Sequence, residues 1–416
     1  MDTLTSFPLL VVFITGVVFL YRLRSPSKVD LDTTPMPKTQ TQPQPQIVSK
    51  ESDFPQDWLT GTRIFDLEKR AIFSKTWLPI SHKSRFPKPG TYYSHAIAGF
   101  PIILMKGKDH QIRAFHNVCR HRAYPVTSRE SGSSTVLGCR YHGWSYNSLG
   151  QLIKAPQFED IAGFEKSQNG LFEIHASTSQ GGVIFVNLDA GDVSSQAVVL
   201  ETQVQSSNGF ALRNCLGPGS VWVGGENLEG KFNWKVALSL NWLMRTLDFN
   251  HKEPSSSSII QRALSYLHFQ SRKKPDSLYI FPSTFLFTRP SSGCWISLSF
   301  IPSSETTTSV RYDLYSDTRM KDKTSQDFMT SLKEELKNLM TELEEEYRSC
   351  TLTSDPSYIL SSDLDPRVIE APLDVQSRIL TLLREHFKME KSLRRAIYPA
   401  RREPRTNERY EQAEQR

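Results

Sequence analysis

Four side chains with metal-binding chemistry stand in two short pairs, Cys119-Arg120-His121 and Cys139-Arg140-Tyr141-His142, with seventeen residues between His121 and Cys139. Thiolates and imidazoles are donors that iron and zinc both accept. Loop-forming residues follow each pair instead of a helical pattern, so each reads as a loop carrying one sulfur and one nitrogen. Two thiolates on one iron and two neutral imidazoles on its twin would hold an asymmetric 2Fe-2S cluster. Nitrogen ligation raises the reduction potential above that of an all-cysteine cluster, and the work of such a centre is one-electron transfer.

The rival is a structural zinc ion, which also takes two Cys and two His in tetrahedral array. Zinc ligands usually come in pairs with two or more residues between them, whereas Cys119 and His121 have one. Similar loops each giving one ligand to each iron fit the Rieske-type cluster better. Gly143, directly after His142, is read as leaving room for backbone amides near a sulfur. High-potential respiratory Rieske proteins add two cysteines that clamp the loops by a disulfide; here those places hold Tyr124 and Tyr141. Cys215, Cys294 and Cys350 are scattered without pairing logic, which suits a reducing compartment and small buried apolar roles.

The wider text resembles a family, the alpha subunits of Rieske non-haem iron oxygenases, in the branch nearest choline monooxygenase. The stretches that carry the resemblance are Ile64-Phe65, residues 71–77 (AIFSKTW), 88–92 (KPGTY), 112–122 (IRAFHNVCRHR) and 139–146 (CRYHGWSY). Thinner matches follow at Asn233-Trp234-Lys235, like the entry to a catalytic domain, and at 279–283 (YIFPS). The resemblance implies a 2Fe-2S cluster on Cys119, His121, Cys139 and His142. It also implies a mononuclear Fe(II), electrons from an NAD(P)H reductase of flavin or ferredoxin type, dioxygen as co-substrate, and a homotrimer in which one chain's cluster serves the next chain's iron.

The elements that must position these donors are legible as patterns. Residues 101–105, a turn at 107–109 and residues 111–115 read as a hairpin entering the first ligand loop. Residues 144–146 and 151–153 flank a second turn, and 181–188 is a short apolar run of buried-strand type. Residues 295–301 and 309–315 read as paired strands. Over 326–347 the apolar positions Phe328, Leu332, Leu336, Leu339, Met340, Leu343 and Tyr347 recur at three- and four-residue steps, which is an amphipathic helix. Its acidic run Glu342, Glu344, Glu345 and Glu346 is read as a solvated face. A second helix is expected over 375–387, and Trp144 is read as a core aromatic instead of an electron carrier.

Mononuclear iron sites of this kind use two His and one carboxylate on one face. In relatives an acid and two His follow shortly after Asn-Trp-Lys, but here only Asp248 and His251 stand near the place, and His268 is the next imidazole. Val368 stands where an acid is expected, with Glu370 and Asp374 as substitutes. The catalytic residues are therefore left open. Two functions stay in play: an oxygenase that oxidises a small organic molecule, such as a secondary metabolite or a quaternary amine, and a cluster-only electron-transfer or accessory protein without the mononuclear iron. A zinc-stabilised binding module is the third.

The chain of 416 residues, 38% hydrophobic, can fill two packed domains. Residues 3–21 carry no charge, and as a helix this run would rise about 28 Å, near the hydrocarbon thickness. Arg22, Arg24 and Lys28 follow it, so the positive-inside bias puts the catalytic part in the cytosol behind a single-pass anchor. The expected organisation is a membrane anchor over 1–24, a Pro/Gln/Thr-rich linker over 25–53, an antiparallel Rieske domain over 54–190, a helix-covered antiparallel-sheet catalytic domain over 191–387 and a basic disordered tail over 388–416. The fold class is thus α+β. The net charge of +6 sits largely in that tail and beside the anchor, which suggests anionic headgroups. No base-reading motif points to nucleic acid.

Overall fold

In the computed structural model the described residues are 54–179, 181–191, 219–238, 277–289, 294–317, 322–353 and 372–399. The chain divides into Met1–Glu51 and Ser52–Arg416, and every described residue belongs to the second unit. The expected anchor and linker lie outside the described residues. Among the described residues no helix is long and apolar enough to cross a membrane.

Helix α1 (Thr62–Glu68) runs into a π-helical turn, Lys69–Phe73, whose Ala71, Ile72 and Phe73 are buried. The strands that follow are β1 (Leu78–His82), β2 (Thr91–Ile97), β3 (Phe100–Lys106), β4 (Ile112–His116), β5 (Ser131–Ser133), β6 (Val136–Gly138), β7 (Ser145–Asn147), β8 (Leu152–Lys154), β9 (Glu173–Thr178) and β10 (Val183–Asn187). Seven of them form one sheet in the order β1-β10-β9-β4-β3-β2-β5, and β6-β7-β8 form a small second sheet. The first expected hairpin is the β3–β4 pair, in register from Ile102 opposite His116 to Lys106 opposite Ile112. The second is β7–β8, with Gly150 at φ +75 in its turn, where an added Cβ would lie 2.5 Å from the Phe115 ring.

A five-stranded antiparallel sheet follows, built from β11 (Ser220–Gly230), β12 (Ser277–Ile280), β13 (Thr284–Arg289), β14 (Cys294–Pro302) and β15 (Thr308–Asp317) in the order β11-β15-β14-β13-β12. Alternation along β14 and β15 sends Leu298, Phe300, Val310, Tyr312 and Leu314 into the core that holds Leu332, Leu336, Leu339 and Leu343 of α2 (Asp322–Thr353). Trp295 and Tyr315 point the other way, against Phe185 of β10. Helix α2 is ten residues longer than the 326–347 expected, and its acidic run is not uniformly solvated: Glu344 accepts from the Lys231 N–H at 2.8 Å, and burial raises the pKa of Glu346.

The parts on either side of 190 and 191 both belong to the unit Ser52–Arg416. They share a core because Trp234 and Lys235 both reach back to the buried Glu68, which accepts from Trp234 Nε1 at 2.8 Å and forms an ion pair with Lys235 Nζ. The tail expected from 388 is folded as far as 399. Helix α3 (Pro372–Leu393) runs past Phe387, and Glu390 accepts Arg70 Nε at 2.6 Å, Arg70 Nη2 at 3.0 Å and the Ile397 N–H at 2.9 Å. The arginine-rich composition hid this, since the pairing joins residues 320 positions apart.

Candidate metal centre

The two ligand loops repeat one design. The Cys119 N–H donates to the Tyr124 carbonyl at 2.7 Å and the Ala123 N–H returns to the Cys119 carbonyl at 3.0 Å. In the second loop the Cys139 N–H donates to the Trp144 carbonyl at 2.8 Å and the Gly143 N–H returns to the Cys139 carbonyl at 3.0 Å. The fourth residue after each cysteine is left-handed, Ala123 at φ 60 and Gly143 at φ 74. Among protein atoms a side chain at Gly143 would meet only Pro156 Cγ at 3.4 Å, and the left-handed backbone angle is one that glycine adopts without strain.

The donors sort by depth. Cys119 and Cys139 are 3% and 4% exposed, while His121 and His142 are half-buried. The imidazoles sit side by side with ring centroids 4.4 Å apart. His121 stacks on Trp144 at 5.0 Å and 8°, and Phe158 meets its ring edge-on at 5.0 Å. Trp144 is thus the core aromatic expected, and it also fixes the plane of a donor ring. The two thiols interact directly, and burial pushes the Cys119 thiol up. Coordination to a cation would reverse that cost, since a metal-bound thiol is deprotonated.

Tyr146 was missed in the sequence. Its hydroxyl accepts the Arg120 N–H at 3.0 Å and lies 3.3 Å from Cys119 Sγ. With its lone pair engaged by an N–H, the phenol is placed to donate to the sulfur, the kind of outer contact that tunes a cluster. The signal was available in the alternation of β7, which puts Trp144 and Tyr146 on one buried side. Asn117 pins the ends of the first loop: it donates to the Thr127 carbonyl at 2.8 Å and accepts the Thr127 N–H at 3.1 Å.

These residues fit a 2Fe-2S group. Two buried sulfurs and two shallower nitrogens on matched loops give each iron its own pair. Among the described residues no three His, Cys, Asp or Glu side chains gather as a single ion would have them, and a cluster with two protein ligands per iron asks for no such gathering. Tyr124 and Tyr141 form no disulfide but stack, with centroids 4.3 Å apart. Asp248, His251, His268, Val368 and Glu370 lie outside the described residues, as does the side chain of Asp374.

The comparisons agree with this geometry. Residues 76–165 match the family model described as the Rieske 2Fe-2S domain. The carnitine monooxygenase oxygenase subunit of Acinetobacter baumannii is 31% identical over 189 residues, covering 44% of this chain and 48% of that protein. The protein of the same name from Escherichia coli K12 is 25% identical over 291 residues, covering 63% and 74%. The chain therefore spans about half the length of the first of these relatives. The quaternary ammonium Rieske monooxygenase CntA, solved with gamma-butyrobetaine, superposes with a TM-score of 0.59 at 21% identity over 71% of this chain and 84% of that one, a likeness of fold. By its matched loops and these likenesses, the chain carries a Rieske 2Fe-2S domain over residues 76–165 and is similar to oxygenase subunits of Rieske monooxygenases and dioxygenases.

Proposed function

We propose that the chain is the oxygenase component of a Rieske-type oxidoreductase that oxidises a small organic molecule with dioxygen, using electrons from an NAD(P)H reductase. The observation that carries this reading is the pair of matched loops with sulfurs inside and imidazoles toward the surface. Cys119 and Cys139 would hold one iron and His121 and His142 the other, and the bound cluster supplies one-electron transfer. Around it, Tyr146 donates to the Cys119 sulfur, Trp144 and Phe158 keep water from the His121 ring, and the two loop backbones hold the donors at fixed depth. A quaternary amine is the substrate class favoured, on the likeness to carnitine monooxygenase oxygenase subunits. A mononuclear Fe(II) near Asp248 and His251, a homotrimer and an N-terminal tether holding the catalytic part in the cytosol complete the proposal.

Metal and sulfide analysis of anaerobically purified protein tests it. About three irons per chain with a rhombic low-potential resonance are expected, whereas about two would leave a cluster-only electron-transfer protein. Cys139→Ser and His142→Ala should each abolish the resonance. Retention of colour in either variant, or absence of sulfide, defeats the reading. Fractionation of cells expressing the chain with and without residues 1–24 tests the tether, which requires loss from the membrane pellet on truncation.

A further inference from the structure

A cavity of about 340 Å3 lies between the seven-stranded sheet and the side of the five-stranded sheet that Trp295 and Tyr315 share. Strand β2 contributes Ser94, His95 and Ile97 to its wall, and β14 and β15 contribute Ser299, Ser309 and Arg311. The volume falls in the range of small-molecule sites, which combine apolar walls with a few convergent polar groups.

Arg311 is the cation on its wall, held by its partners on one side. Asp313 accepts Arg311 Nε at 2.7 Å, Arg311 Nη2 at 3.0 Å and Trp222 Nε1 at 2.8 Å, and it also faces Arg85 Nη1 at 3.9 Å. Arg85 and Arg311, 6% and 8% exposed, both lie by this carboxylate, and Arg85 is also held over the Tyr93 and Trp222 rings. Arg311 Nη1 takes no part in these bonds. Glu130 lines the exposed mouth, and its charge also reaches Arg311. His95 also lines it, and its Nε2 is shut away from solvent without a hydrogen-bond partner. Burial, with Arg311 and Arg85 close by, holds this imidazole well below its ordinary range, so it stands neutral with one N–H to give. Native proteins rarely leave such a group unmet unless a ligand or water meets it.

We propose that this cavity binds a small organic carboxylate, seated on Arg311 with His95 donating to the same ligand. The apolar surfaces of Ile80, Ile97 and Ile301 favour an organic body over an inorganic ion. The site is separate from the metal centre, but Asn117, which lines it, ties Ser94 Oγ at 3.1 Å to the base of the first ligand loop. An occupant would therefore brace that loop.

The test uses the full chain with its cluster in place, titrated calorimetrically with succinate, benzoate, citrate and, separately, sodium sulfate. Saturable binding of at least one carboxylate at one site per chain is expected, with sulfate weaker by about tenfold or more. Ser309→Phe fills the cavity while leaving the Arg311–Asp313 pair intact and should abolish binding; His95→Phe should weaken it by about tenfold. No saturable binding of any carboxylate at ~10 mM, equal binding of sulfate, or undiminished binding in folded Ser309→Phe overturns the proposal. Each variant's cluster absorbance and thermal midpoint report whether it has folded.

Discussion

Tyr124 and Tyr141 stack across the two ligand loops, with ring planes 25° from parallel and each ring about half exposed. The pair occupies the positions that hold a disulfide in high-potential Rieske proteins. Tyr141 also meets the His142 ring at 4.1 Å, so the stack restrains a donor directly.

An aromatic pair of this exposure contributes about 0.5–1 kcal/mol. Tyr124→Ala should accelerate cluster loss to a chelator about two- to fivefold, while Tyr124→Phe keeps the ring and the wild-type rate. Bleaching of the visible absorbance measures both. An unchanged rate in Tyr124→Ala would show that the loops hold without the stack.

The repeated loop backbone predicts opposite responses at its two left-handed residues. Gly143→Ala should cost about 1 kcal/mol, because a Cβ is disfavoured at that angle. Ala123→Gly should relieve the same strain, with part of the gain offset by the entropy of a glycine in the unfolded chain. Denaturant midpoints of the loaded protein read both signs, and equal destabilisation by the two changes would contradict the symmetry.

The buried pair of Lys235 and Glu68, 1% and 0% exposed, ties the end of α1 to the segment that follows β11. Removing one partner strands a buried charge, so Lys235→Met should destabilise by about 3–5 kcal/mol. The double variant with Glu68→Leu should recover a large share, because both charges then leave together. A double variant no better than the single one would mean that the hydrogen bond Glu68 accepts from Trp234 matters more than the pair's charges.

His82 is fully buried, its Nε2 donating to the Gly181 carbonyl at 2.8 Å, and burial lowers its pKa to about 4. The unfolded chain binds a proton near pH 6.5 that the folded one refuses, so stability is complete above about 6.5 and falls as pH drops toward 4, by about 1.4 kcal/mol per unit at most. His116, also lowered to about 4 by burial, acts with the same sign. Urea midpoints at pH 7.5 and 5 should therefore differ, and His82→Gln should remove roughly half of the contribution from these two histidines. A variant as acid-sensitive as wild type would assign the slope elsewhere.

The donors, the flanking hairpins and the stripe of α2 were legible because each is local: ligand spacing, period-two alternation and a three- and four-residue apolar step act over a few residues. What escaped the sequence depends on distant partners. Tyr146 matters only because the first loop brings Cys119 to its hydroxyl. The acidic run on α2 reads as solvated until Lys231 is seen against Glu344. Asn233-Trp234-Lys235 gives no hint that Glu68 awaits it. The end of α3 was lost beside the arginines that follow it, since composition cannot show that Arg70 needs Glu390.

That last dependence bears on synthesis. Arg70 is translated before every cluster donor, whereas its carboxylate emerges 320 residues after it, when all four donors have already been made. Nascent chains thus pass through a stage in which iron could be loaded while an early cation still lacks its mate. A premature stop just short of Glu390 should yield a coloured but fragile product, prone to quality-control proteolysis.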